Sequence, residues 1–211
     1  MIRAKKTDLR REAGQRTRDG LQTAALELLA QRGQEGVTLR EITDRAGANV
    51  AAVSYHFGSL KALCDSAIEH ALERYLDAQI AALDSLGSTS TLQEVAAAFA
   101  GPMVRALAAG GQDLAVMRTV ARVGIDPPQG WDRLAGKFDR SRRDALRVLT
   151  ATLPGVKAQD LIFRTRCAAG MLNWLVLAPI GAELAGRSEK QIERLLLPVL
   201  AGAFHGYPGA G

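Results

Sequence analysis

Residues 37–63 read Val-Thr-Leu-Arg-Glu-Ile-Thr-Asp-Arg-Ala-Gly-Ala-Asn-Val-Ala-Ala-Val-Ser-Tyr-His-Phe-Gly-Ser-Leu-Lys-Ala-Leu. Thr38 and Glu41 stand in the S/T-x-x-E relation, in which hydroxyl and carboxylate satisfy each other's orphan amides, so a short helix starts there. Gly47 stops it, because without a Cβ it can take the left-handed conformation that ends a helix. Asn49 is a strong N-cap, so a second helix restarts at Val50. Leu39, Ile42 and Ala46 share one face of the first helix, and Val53 and Phe57 share one face of the second, so the pair can bury a small core. Ala51, Ala52, Ser54, Tyr55 and His56 are left outside. Small side chains there allow a helix backbone to approach the floor of a major groove, and the aromatic and imidazole groups at its far end can reach phosphate oxygens.

A lone helix-Gly-helix pattern is more often an ordinary αα-hairpin. Upstream, however, Leu21, Ala24, Ala25, Leu28 and Leu29 recur at helical spacing and stop at Gly33, giving a third helix to pack across the pair. Three such helices make a minimal DNA-reading unit. At this point the chain resembles the TetR family of bacterial transcriptional regulators. The matching positions are Ala24, Ala25, Gly33, Thr38, Ile42, Ala46, Gly47, Phe57, Ser59 and Leu63, across about the first 65 residues. Two positions depart from the family pattern. Ser54 stands where most members carry Tyr, with the aromatic displaced to Tyr55, and Leu60 stands where they carry a phosphate-contacting Lys, with Lys61 next. The Ala-Ala-Val-x-Tyr-His-Phe-Gly-Ser string at 51–59 is similar to a subgroup that includes fatty-acid-responsive regulators, but nothing downstream carries that effector over.

Composition fits a two-part helical protein. The chain has 211 residues, 47% of them hydrophobic and 5% aromatic, rich in Ala and Leu and without a run of period-two alternation. The expectation is an all-α fold of about nine helices. It comprises a basic flexible arm (1–15), a helix-turn-helix DNA-binding domain (16–63), a helical effector-binding and dimerisation domain (64–205) and a flexible tail (206–211). The net charge of +5 is uneven, since residues 1–63 hold 11 Lys+Arg against 7 Asp+Glu. In the stretch before the first helix, Arg3, Lys5, Lys6, Arg10, Arg11, Arg16 and Arg18 accompany only Asp8 and Glu12, a pattern that serves phosphate neutralisation as readily as plain solvation. Residues 10–18 also suit an extension of the first helix.

Beyond residue 63, amphipathic segments run over about 59–83, 92–109, 113–123, 131–153, 158–178 and 188–204, with breaks at 84–91 and at the Pro-rich 124–130. Ser188 and Gln191 cap the last. The last two segments are the richest in large aliphatics, and Leu195, Leu196 and Leu197 in a row face several directions, which leaves apolar surface for a partner. Leu172, Val176, Ile192, Leu196, Val199 and Leu200 are the candidate homodimer interface, with intramolecular core as the competing reading. A four-helix bundle from two subunits, as the resemblance also implies, would set paired readers on a palindromic site with half-sites roughly 34 to 36 Å apart or a multiple of one turn.

Between reader and bundle the family places an effector, and this segment offers Met103, Met117, Arg118, Phe138, Cys167, Met171 and Trp174 as candidate ligand contacts for an apolar or anionic small molecule. For the soft and flat groups, core packing is the commoner fate. Arg140, Arg142, Arg143 and Arg147 read as a solvated helix face.

The three histidines sit in separate segments, and no nucleophile elbow, zincin, phosphate-loop or dinucleotide motif is present, so catalysis and a bound cofactor or metal are not expected. Cys64 and Cys167 lack metal-ligand spacing. The start, Met-Ile-Arg, leads into charge rather than an apolar run, and Cys167–Ala182 is too short and interrupted to span a bilayer, which suggests a cytoplasmic protein. The functional expectation is a sequence-specific transcriptional regulator, a repressor released from double-stranded DNA by a small molecule. The alternative is a DNA-bound regulator switched by a partner protein or by nothing. Thr38, Arg40, Asn49, Ala51, Ala52, Ser54, Tyr55, His56 and Lys61 are the candidate DNA contacts, Arg40 to phosphate and the alanines to thymine methyls.

Overall fold

The structure, a computed structural model, describes the backbone of residues 2–32, 36–125 and 132–206, and the side chains among them apart from 2–10 and 132–135. The Gly33 stop, most of the basic side chains of the arm, the break over 126–131 and the tail from 207 onward lie outside that description. Among the described residues the fold is all-α: α1 (Ile2–Arg32), α2 (Leu39–Ala46), α3 (Val50–Phe57), α4 (Leu60–Asp84), α5 (Leu92–Ala109), α6 (Gly111–Ile125), α7 (Asp132–Thr152), α8 (Ala158–Leu177), α9 (Pro179–Leu184) and α10 (Glu189–His205). The helix beyond the expected nine is α9. Ala178 ahead of Pro179 is extended (φ −78°, ψ 161°), as a residue before proline must be, and Pro179 then opens a new helix where its missing N–H costs nothing.

The basic stretch expected as a flexible arm is helical from Ile2 and continuous with α1. Its Lys, Arg, Glu and Gln residues are strong helix formers, and no proline interrupts them. The chain divides into two units, Met1–Ala71 and Leu72–Gly211, so the boundary falls inside α4 rather than at residue 63. The physical reason is that the first turns of α4 complete the core of the first unit. Leu63, Cys64 and Ala67 are buried with Leu21, Ala25 and Leu28 of α1, Ile42 of α2 and Val53 of α3. The Gln22 side chain also donates to the Ser66 hydroxyl at 2.8 Å.

In the second unit α5 packs against α10, and α8 is flanked by α6, α7 and α10. Phe99 and Phe204 meet edge to face with centroids 5.8 Å apart, and Phe204 is fully buried. The helix ends are closed by arginines from neighbouring helices. Arg118 on α6 donates Nε to the Val176 carbonyl at the end of α8 (3.1 Å). Arg147 on α7 donates to Leu83 and Leu86 at the end of α4 (3.3 and 3.4 Å). Arg164 on α8 donates to Phe204 (3.0 Å) and His205 at the end of α10. These groups supply donors to carbonyls that have no intrahelical partner, with a charge sign that suits the negative helix end. Arg118 is therefore a cap rather than a ligand contact. Arg140 and Arg147 are likewise not purely solvated, since Arg140 also pairs with Asp84 at 2.9 Å.

Most of the expected dimer contacts turn inward. Leu172, Val176, Ile192 and Leu200 are at most 1% exposed and Leu196 is buried, so they are core of the single chain, and of the six only Val199 faces out. A leucine on the inner side of a helix in a bundle satisfies the same periodicity as one on an interface, which is why spacing alone did not separate them. The large apolar groups left outside in this unit are Ile125 on α6, Phe163 and Trp174 on α8, Ile180 on α9, and Leu195 and Val199 on α10, among the described residues.

Gly47 sits at φ 61°, ψ 30°, with nothing within 4 Å of an added Cβ, so Gly47→Ala should cost about 1 kcal/mol through backbone strain alone. Gly47→Asn should cost less, both read from urea midpoints. Arg164→Met keeps the apolar stem but strips the donors from the end of α10, and should lower stability by about 1 kcal/mol in the same measurement.

Candidate nucleic-acid interface and effector cavity

The turn between α2 and α3 is specified by three caps. Thr38 Oγ1 accepts from the Glu41 amide at 3.3 Å and donates to Glu41 Oε2 at 2.7 Å, and the same carboxylate oxygen accepts from the Thr38 amide at 3.1 Å. These bonds, led by the Thr38 hydroxyl and then by the neighbouring Arg32, hold the Glu41 carboxyl below its ordinary pKa. Gly47 closes α2 in the left-handed conformation, and Asn49 Oδ1 accepts from the Ala52 amide at 2.9 Å to open α3. Thr38 and Asn49 thus spend their side chains on holding the turn, and any contact they make with DNA uses the hydrogen-bonding capacity left over. A further cap, Ser59 Oγ accepting from the Ala62 amide at 3.1 Å, opens α4.

The face of α3 left outside consists of Val50, Ala51, Ser54 and Tyr55, with Tyr55 85% exposed, while Val53 is buried beneath them. Ala52 and His56 are half-buried at the edges. Val50 was not read as an outward residue; its place directly after the N-cap, where a helix begins to project, is the signal. His56 lies edge-on to Tyr55 with centroids 4.9 Å apart. Both residues border a shallow groove whose other wall is α1, with Arg11, Gln15 and Arg18. The Arg18 guanidinium sits 5.0 Å from the centre of the Phe57 ring, a cation–π contact that pins it beside the C-terminal end of α3.

α3 carries no Lys, Arg, Asp or Glu. Positive charge comes from its surroundings. Arg40 is highly exposed and only loosely paired with Asp44 (3.8 Å). Lys61 is exposed and bonded to Asp65 at 2.5 Å, so a phosphate would have to compete with that carboxylate. Hydroxyls and methyls thus occupy the outward face of α3, and the exposed guanidinium and ammonium groups lie on other helices.

The second unit holds a cavity of about 180 Å³. Its apolar wall includes Leu76, Phe99, Val120, Phe138 and Leu172. Its polar wall centres on Gln79, which is 4% exposed. Gln79 Nε2 donates to the Phe99 carbonyl at 2.6 Å and to the Tyr75 hydroxyl at 3.3 Å, and Oε1 accepts from the Ser141 hydroxyl at 2.5 Å. One amide thereby ties α4, α5 and α7 around the cavity. Burial pushes the Tyr75 phenol up to about 12, against a smaller opposing effect of Gln79, so it stays protonated. Thr165, Arg142, Arg166 and Asn173 complete the polar wall.

Of the expected ligand contacts only Phe138 lines this cavity. Met103 and Met117 are buried core, Met171 is half-buried and outside the lining, and Cys167 and Trp174 are exposed on α8. Tyr75, Gln79, Ser141 and Thr165 went unread. The available signal was that Tyr75 and Gln79, four residues apart, flank Leu72, Leu76 and Ile80 on α4, so polar groups stand beside an inward stripe. Among the described residues no His, Cys, Asp and Glu group has the makings of a metal site, and no helix is long and apolar enough to cross a membrane. Both cysteines are free, and burial chiefly pushes the Cys64 thiol up.

Comparison with known proteins covers both units. The family described as bacterial regulatory proteins, tetR family, matches residues 21–67, and the tetracyclin repressor-like C-terminal domain matches residues 97–202. No curated protein matches the chain. Among solved structures it is similar to a TetR-like transcriptional regulator from a Rhodococcus species, with TM-score 0.66, 16% identity, and 90% of this chain and 97% of that one covered. It is also similar to the TetR-family regulator PfmR from Thermus thermophilus, with TM-score 0.62, 17% identity, and 86% and 96% covered. At these identities the structures speak for the fold alone. With matched segments in both units and a helix-turn-helix held by its own caps, the chain belongs to the TetR family of bacterial transcriptional regulators.

Proposed function

We propose that two copies of this chain bind a palindromic DNA site as a repressor and leave it when a small molecule enters the cavity of the second unit. The observation that carries the DNA-reading part is the α3 face of Val50, Ala51, Ser54 and Tyr55, which is exposed and uncharged, with the Arg18 guanidinium held beside the end of the helix. Without an Arg or Asn on that face for bidentate base contacts, reading would rest on the Ser54 and Tyr55 hydroxyls and on methyl contacts with thymine. The exposed apolar groups on α8 and α10 support a dimer, since Trp174, Phe163, Leu195 and Val199 are large groups that water solvates poorly. Isologous pairing of that face would place two readers about a two-fold axis, as a palindrome requires.

The cavity favours a small molecule over a partner protein as the signal. It also gives the signal a route, because α4 contributes Leu63 and Ala67 to the core around the reader and Leu76 and Gln79 to the cavity wall. A ligand that prefers one setting of that helix would shift the population between DNA-competent and DNA-free forms.

The direct test is titration of the purified protein with genomic fragments around its own gene at two salt concentrations. Saturable binding should survive physiological salt, and Tyr55→Ala should weaken it about tenfold. Unchanged affinity in the variant would remove the outward face of α3 from the interface. The dimer is tested separately by analytical ultracentrifugation of the double variant Leu195→Glu, Val199→Glu, which should sediment as a folded monomer and lose tight operator binding. An undisturbed dimer would place the interface elsewhere.

A further inference from the structure

The chemistry of the cavity wall narrows the effector, and this inference rests on the effector reading above. Two guanidinium groups, Arg142 and Arg166, line the cavity and no carboxylate does. Arg142 is already paired with Asp139, whereas Arg166 is exposed and makes no ion pair among the described residues. The Tyr75 hydroxyl accepts from Gln79, so its own proton is left to donate, and no acceptor for it is found among the described residues. The wall therefore offers the uncommitted Arg166 and two uncommitted neutral donors among the described residues, the Tyr75 hydroxyl and the Asn173 amide, all suited to an anion with oxygen acceptors.

Size and shape limit the rest of the molecule. A cavity of about 180 Å³ is close to the roughly 150 Å³ apolar cavity that takes up benzene in another protein, which leaves room for one ring and a small substituent. Three aromatic side chains, Tyr75, Phe99 and Phe138, stand in the lining, and ring edges and faces favour an aromatic guest over an aliphatic one of equal area. The cavity opens to the surface, so it is this aromatic lining rather than volume that favours a ring over an acyl chain.

We propose that the cavity is a site for monocyclic aromatic carboxylates, the ring lodged among Phe99, Phe138 and Tyr75 and the carboxylate held by Arg166 and the Tyr75 hydroxyl. Isothermal titration of the intact protein with benzoate, benzamide and decanoate tests it. Benzoate is expected to bind, and benzamide, which matches its shape without the charge, to bind at least about tenfold more weakly. Arg166→Gln alters an exposed side chain and leaves the core alone, so it should weaken benzoate about tenfold while leaving benzamide unchanged. Tyr75→Phe should also weaken benzoate, with melting curves confirming that the variant is folded. Equal binding of amide and acid, tighter binding of decanoate, indifference to Arg166→Gln, or no binding of benzoate at all would each overturn the proposal. The two readings separate on the operator. Benzoate that binds as described without releasing DNA supports the ligand class and refutes release, whereas an unrelated compound that frees the operator while benzoate is ignored refutes the class and supports release.

Discussion

In a protein built of helices alone, among its described residues, every helix ends in carbonyls that have no partner within the helix, and wherever such an end is packed against a neighbour it must find a donor. In the second unit that donor is repeatedly an arginine from an adjacent helix. Arg118 closes α8, Arg147 closes α4 and Arg164 closes α10. Each contact fixes where one helix ends relative to the side of another, so the same three residues that satisfy polar groups also set the register of the bundle. Close packing has to make way for them. An added Cβ at Gly206 would lie 2.5 Å from the Arg164 guanidinium carbon, and one at Gly181 would lie 2.5 Å from the Leu175 carbonyl oxygen. At Gly181 the close neighbour is backbone and cannot yield, so space requires glycine, whereas at Gly206 it is the end of a flexible side chain and the left-handed φ of 70° is the stronger reason for glycine.

The first unit meets the same constraint with local chemistry. Its helices are short, eight residues each for α2 and α3, too short to persist without tertiary packing. Caps from Thr38, Glu41, Gly47 and Asn49 decide where they begin and end, and Ile42, Val53 and Leu63 supply the shared core. The burial of Val53 forces the opposite face of α3 into solvent, which makes Ser54 and Tyr55 available. The stability and the exposure of the reader are two consequences of one amphipathic helix.

Charge is divided between binding and positioning. Exposed cationic groups lie on the helices around α3 rather than on it, and in the proposed complex they would attract phosphates while the uncharged face of α3 approaches the bases. In the second unit the arginines that cap helix ends are spent on structure, whereas Arg166 lines the cavity and has no such role among the described residues. Sorting arginines by what they already satisfy therefore says more about binding than counting them.

The sequence by itself determined the reader, because that part of the fold is written in short-range rules: a capping box over three residues, a left-handed Gly47, an Asn49 N-cap, and apolar spacing that leaves Ser54 and Tyr55 outside. All of these are nearest-neighbour constraints that a linear reading can evaluate. It also determined the all-α class and the placement of most helices. The tertiary structure alone decided which apolar residues are core and which are surface, sending Leu172, Ile192, Leu196 and Leu200 inward and leaving Trp174 and Leu195 outside. It also decided which arginines cap helices and which polar groups meet in a cavity. The physical reason is that a 3.6-residue period shows that a helix has an apolar side without showing what covers it. The Gln79 network joins residues 20 and 62 positions apart, and such partners become neighbours only when the bundle has closed.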